Sequence, residues 1–106
     1  MQNVHTLENT VANNPAVMLY FSAASCNVCH ALKPKLFNAI EMNFKEMKIV
    51  SVDTALSQEA AAHYGVFAIP TILVFLDGKE FLRKSRNMSV DEVIKEIARP
   101  YEMLLS

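Results

Sequence analysis

The sequence predicts an α/β fold whose elements alternate in the order βαβαββα, and three observations carry that reading. Ala16-Val17-Met18-Leu19-Tyr20-Phe21 is an apolar run without a turn residue, which reads as a buried strand. After it, Cys29, Leu32, Leu36, Ile40 and Phe44 recur at spacings of three and four, the pattern of a helix with one face in a core. Near the other end, Asp77-Gly78 sits between two strand-like runs and marks a two-residue hairpin turn. A crossover therefore opens the order with a parallel pair, and an antiparallel hairpin closes it before the last helix.

The elements follow in order. A short strand around Asn3 to His5 and a weak helix from about Leu7 to Ala12 precede the first apolar run, closed by the turn cluster Asn13-Asn14-Pro15. The strand at 16–22 leads to a long helix at about 26–46, which Pro34 should kink because proline cannot donate to the helical ladder. Lys48 to Val52 alternates into a strand ending at Asp53, a residue of turns and caps. An alanine-rich helix over roughly Leu56 to Tyr64 stops at Gly65, a natural residue just past a helix end. Thr71 to Leu76 reads as a buried strand and Glu80 to Lys84 as its return. Ser89 and Glu92 form a capping box for a final helix whose Val90, Val93, Ile94 and Ile97 make one apolar stripe.

Length and composition narrow the function. At 106 residues, without repeats or linkers, the chain is expected to be one domain over 1–106. A hydrophobic content of 52% demands a folded core. The net charge of −1 comes with no basic cluster interleaved with aromatics, so nucleic acid is not an expected partner. Met1-Gln2-Asn3-Val4-His5 has neither the basic nor the apolar part of an export signal, and no run reaches the roughly 18 apolar residues of a membrane span. The expectation is a soluble, cytoplasmic protein that does not engage a membrane.

The chemistry lies in Cys26-Asn27-Val28-Cys29, which contains both cysteines of the chain. Thiols with two residues between them can form a disulfide with each other and pass it to another molecule. The pair sits at a strand-to-helix junction. There the free N–H groups and positive dipole end of the helix favour a thiolate at Cys26, the expected nucleophile. Cys29 lies one turn further in on the apolar face, where burial disfavours ionisation, and is the expected resolving thiol. In a reducing cytosol a lone CxxC serves redox or metal chemistry before stapling. His30 completes a haem-attachment pattern, but haem attachment belongs outside the cytoplasm and a βαβ unit leaves no loop to cradle a porphyrin. A closed zinc site wants four ligands, and nothing in the pattern makes His5, His30 and His63 converge. No metal and no cofactor are expected, and each histidine reads as solvated. Tyr20 reads as a core aromatic whose hydroxyl needs a hydrogen-bond partner.

With Pro34 five residues after Cys29, the Tyr64-Gly65-Val66 step and Ile69-Pro70-Thr71 opening the hairpin, the chain resembles the thioredoxin family over nearly its whole length. The resemblance implies a thioredoxin fold, a central mixed β-sheet flanked by α-helices, with a cis bond before Pro70 and that loop beside the cysteines. It implies substrate binding at Ile69 and Pro70, the backbone of Ile69 pairing with an extended substrate segment by strand addition. It also implies a monomeric thiol–disulfide oxidoreductase acting on protein disulfides and reduced by a partner such as a thioredoxin reductase. A binding or chaperone-like module using the same groove, with secondary redox activity, is the alternative.

The chain departs from the family pattern beside the cysteines. Ser25 replaces the usual tryptophan before the first cysteine, Ser22 replaces a second aromatic, and Asn27-Val28 replaces Gly-Pro. Tyr20 stands in for a buried aspartate and Ile49 for its lysine partner. A phenol with an ordinary pKa of about 10 is a poor proton acceptor near neutral pH, so mixed disulfides with substrate are expected to accumulate.

Overall fold

Asn3 decides how the chain begins. In the computed structural model, which describes residues 3–105, its side-chain carbonyl accepts the Thr6 N–H at 2.8 Å and caps helix α1, Val4–Asn13. The strand expected at Asn3 to His5 is replaced by a helix cap and first turn. A short side-chain acceptor satisfies one of the donors that a helix start leaves without a partner, and the spacing of Leu7 and Val11 buries both on one face.

The remaining elements are β1 (Ala16–Ser22), α2 (Asn27–Asn43), β2 (Met47–Asp53), α3 (Gln58–His63), β3 (Thr71–Leu76), β4 (Lys79–Ser85) and α4 (Val90–Leu105). From β1 onward the order is βαβαββα, as expected. The strands form one mixed sheet in the order β2-β1-β3-β4, with β1 and β2 parallel and the other neighbours antiparallel. Side chains alternate across β1, so the sheet has two apolar faces. Ala16, Met18 and Tyr20 pack with Leu36 and Ile40 of α2 and Val93 and Ile97 of α4. Val17, Leu19 and Phe21 pack with Leu7 and Val11 of α1 and Ala60 of α3.

Several boundaries differ from the pattern reading for local reasons. Helix α2 runs through Pro34 and ends at Asn43, short of the expected 46. Phe44 leaves helical dihedrals (φ −133°, ψ 80°) and carries its ring into the core, 4.7 Å from the Tyr101 ring. The Tyr101 hydroxyl accepts the Glu46 N–H at 2.9 Å, tying α4 to this turn. Helix α3 starts at Gln58 because Asp53 Oδ1 accepts the N–H groups of Ala55 (2.8 Å) and Leu56 (3.1 Å), holding them in a turn. It ends at His63 with Tyr64 as its cap, and Gly65 stands just past the end as expected, its φ of +66° suiting glycine.

The Arg83 guanidinium, from β4, donates to the carbonyls of Tyr64 (2.7 Å) and Gly65 (3.1 Å) while bonded to Glu80. It thereby fixes the exit of α3 to the sheet. Asp77 (φ 54°) and Gly78 (φ 78°) both adopt positive φ, the requirement of a two-residue hairpin turn that follows the strand twist. Ser89 Oγ accepts the Glu92 N–H at 3.3 Å and starts α4. Among the described residues no helix is long and apolar enough to cross a membrane.

Candidate active site

Parallel pairing of β1 with β2 and the return of β3 beside β1 bring two loops to the same end of the sheet. Phe21 lies opposite Thr71, so the chain leaving β1 toward the cysteines and the chain entering β3 from Pro70 emerge side by side. The Thr54 N–H donates to the Ser22 carbonyl at 2.8 Å and draws the β2 exit to the same place. A cavity of about 190 Å³ opens here, lined by Thr54, Val66, Phe67, Ala68 and Ile69.

Cys26 is the N-cap of α2 and forms a disulfide with Cys29, the Cα atoms 5.3 Å apart. Its Sγ accepts the Cys29 N–H at 3.1 Å, so one of the helix's four free N–H groups is directed at the first sulfur. Cys26 is partly exposed, whereas Cys29 is 1% exposed on the apolar face. Between them Val28 is 59% exposed.

Below the pair stands Tyr20, with 0% exposure. Its O–H donates to the Cys29 carbonyl at 2.7 Å, and its ring meets Phe37 edge-on, 5.3 Å between centroids. The hydroxyl thus has the partner a buried phenol requires, and burial pushes its pKa above the ordinary phenol value. Ile49 packs against the same cluster, and the buried polar side chains among the described residues are Ser57 and Thr71, with no carboxylate. The floor of the site is therefore apolar apart from one neutral donor.

His30 is exposed, as the sequence suggests, but its ring is not free. Its Nε2 lies 2.8 Å from the Ala24 carbonyl, where it donates as N–H, and it ties the 23–25 loop to the first turn of α2. No periodicity marks such a bond, which spans a turn that the sequence does not define. The other histidines have partners elsewhere: His5 bonds Asn9 at 3.3 Å and His63 pairs with Glu8 at 3.3 Å.

Opposite the cysteines, the Ile69–Pro70 bond is cis, as the resemblance implied. Three bonds secure this loop: Thr71 Oγ1 donates to the Ala68 carbonyl (2.6 Å), the Thr71 and Ser85 hydroxyls pair (2.8 Å), and the Arg86 N–H donates to the Pro70 carbonyl (2.7 Å). Among the described residues the N–H and C=O of Ile69 make no hydrogen bond. Phe67, two residues before it, is 91% exposed. A separate cavity of about 470 Å³, lined by Glu8, Val11, Ala12, His63, Tyr64, Phe75 and Gly78, lies toward the far end of the sheet, away from the cysteines.

Comparisons with known proteins agree with this geometry. The family model described as Thioredoxin matches residues 1–99. The chain is 30% identical over 106 residues to thioredoxin-like protein YdfQ of Bacillus subtilis, covering 97% of this chain and 94% of that one. It is 33% identical over 85 residues to thioredoxin of the same organism, covering 80% and 81%. The X-ray structure of Fasciola hepatica thioredoxin superposes with a TM-score of 0.79 at 30% identity, covering 92% and 93% of the two chains. Oxidised mitochondrial thioredoxin 3 of Saccharomyces cerevisiae shares the fold, with a TM-score of 0.82 at 23% identity over 92% and 90%. The chain belongs to the thioredoxin family, and with its Cys26–Cys29 pair it is a thiol–disulfide oxidoreductase.

Proposed function

We propose that this oxidoreductase reduces protein disulfides by dithiol exchange, with Cys26 as nucleophile and Cys29 as resolving thiol. The observation that carries the assignment is the contrast between the two sulfurs: Cys26 is partly exposed at a helix cap and faces the Cys29 N–H at 3.1 Å, while Cys29 is buried. The cap favours a thiolate on the first sulfur and burial opposes one on the second. The Cys26 thiolate attacks one sulfur of a substrate disulfide; that bond breaks and a substrate thiolate leaves. The Cys29 thiolate then attacks Cys26 sulfur, the mixed disulfide breaks, and the second substrate thiolate leaves. Two electrons pass from the pair to the substrate, and water supplies and takes the protons.

The unpaired N–H and C=O of Ile69 support pairing with an extended substrate backbone beside Pro70, which gives affinity with little side-chain preference of its own. Regeneration calls for an external dithiol donor, such as a thioredoxin reductase, and a reducing compartment such as the cytoplasm. The apolar floor supports a slow second step, because no buried carboxylate is at hand to take the Cys29 proton.

Three measurements test the reading. Limiting alkylation of the reduced protein near neutral pH should label Cys26 first, and equal labelling or preference for Cys29 overturns the assignment. Cys29→Ser should retain a peptide disulfide substrate covalently on Cys26. N-methylation of the substrate backbone beside its cysteine should lower kcat/KM; an unchanged value removes strand pairing from the proposal.

A further inference from the structure

Arg86 combines three properties at the edge of this site. Its φ is +59°, in the region that disfavours residues with a Cβ, and neither glycine nor asparagine occupies the position. Its N–H is bonded to the Pro70 carbonyl at 2.7 Å, so its Cα stands immediately beside the loop that carries Ile69. Its side chain is exposed, and among the described residues no hydrogen bond or ion pair engages the guanidinium. The neighbouring cations of β4 differ: Arg83 is paired with Glu80 at 2.9 Å and Lys84 with Glu96 at 3.0 Å.

A non-glycine residue in this backbone region persists where its surroundings over-determine it, and such positions gather at binding sites. The bond to Pro70 supplies that constraint. The result is an arginine held by its backbone against the substrate loop, with its charge turned to solvent and unspent on the protein itself.

We infer that Arg86 is a specificity-determining residue that selects substrate segments carrying an acidic side chain near the reacting disulfide. The inference rests on the reading of the Ile69–Pro70 loop as the substrate-binding element. A guanidinium reaches carboxylates through paired N–H donors, and a segment lying along Ile69 passes within reach of a side chain rooted beside Pro70. Phe67, two residues before Ile69 and almost fully exposed, offers apolar contact that does not discriminate by charge.

The test uses peptide disulfides identical except for Asp, Asn or Lys two residues from the reacting cysteine, with the reduced full-length protein. An exposed ion pair changes kcat/KM by about two- to fivefold, so the unmodified protein should prefer the Asp peptide over the Lys peptide by at least that factor at low salt. The preference should collapse in 0.5 M salt, used here as a concentration of about three times physiological ionic strength. In R86Q the Asp-to-Lys ratio should fall toward one, and in R86E it should invert. R86G, which relieves the backbone region and so keeps the fold, should match R86Q. An unmodified ratio near one, or a ratio unchanged in R86Q and R86G, overturns the inference while leaving disulfide reduction intact. Failure of every peptide to turn over removes the proposed function and this inference with it.

Discussion

Replacing Tyr20 with phenylalanine separates what the hydroxyl does for the fold from what it does for the reaction. The substitution deletes one O–H that donates at 2.7 Å to the Cys29 carbonyl and leaves the ring, its burial and its edge contact with Phe37 in place. A hydrogen bond of this kind is worth about 0.5–1.5 kcal/mol net, so Tyr20→Phe should lose about 1 kcal/mol of stability. In a chain of this size that lowers Tm by about 4–8 °C. The chemistry should respond differently. The phenol is neutral, and its proton is already given to a carbonyl, so it is not positioned to accept one from Cys29.

Mixing reduced protein with excess peptide disulfide, quenching in acid at intervals and weighing the species follows decay of the mixed disulfide. Tyr20→Phe should leave that decay within about twofold of the unmodified rate. A tenfold slowing in a folded variant, equivalent to about 1.4 kcal/mol of barrier, would refute the reasoning and place the phenol in the proton path. The complementary variant, Tyr20→Asp, supplies the missing carboxylate and should accelerate decay. Its folding cost is of the order of several kcal/mol, because a core aromatic is lost and a polar group is buried.

Other outcomes follow from the packing. Burial pushes Tyr20 and Tyr64 above the ordinary phenol pKa, and Glu8 adds to the shift at Tyr64. The protonated forms are favoured in the fold, so this stability is complete below about pH 10 and lost as pH rises further; urea unfolding at pH 9 to 11 should show the fall, flatter in Tyr20→Phe. The Arg83 hydrogen bond holds Glu80 below its ordinary pKa, so that contribution is present above about pH 4.5 and lost as pH falls through the depressed value. Arg83→Met should abolish this acid dependence and, the pair being partly exposed, cost no more than about 1 kcal/mol from the ion pair. Gly65→Ala places a Cβ 3.8 Å from Arg83 Nη1, an ordinary contact, so its loss of about 1 kcal/mol in urea unfolding should come from φ alone.

The elements with strong periodicity were legible: the apolar run of β1, the three-and-four spacing of α2, the Asp77-Gly78 turn and the stripe of α4 all appear where the pattern puts them. The CxxC also declared its own position, since strand followed by helix leaves one place for Cys26. What escaped depends on individual side-chain bonds, some local and some between distant segments, which leave no periodic trace. Asn3 looked like strand because its capping bond to Thr6 leaves no periodic trace. Asp53 delayed α3 by taking two N–H groups, and Phe44 left α2 early to meet Tyr101, a residue remote in sequence. Arg83 on the α3 exit and Arg86 against Pro70 are tertiary facts that no local window contains, and His30 on Ala24 depends on a loop conformation that periodicity does not define.

The sheet divides the interior into two separate stores of apolar side chains. Tyr20, Leu36 and Ile40, which support the cysteine helix, lie in one with α4; Leu7, Val11, Phe21 and Ala60 lie in the other with α1 and α3. Changes on opposite sides share few partners, so their energetic effects should add. The α1/α3 side can therefore drift or be redesigned for heat tolerance with little echo at the sulfurs, whereas a change in the α2/α4 side moves the floor on which Cys29 rests. Within one small molecule, the sheet sets endurance and reactivity under partly independent control.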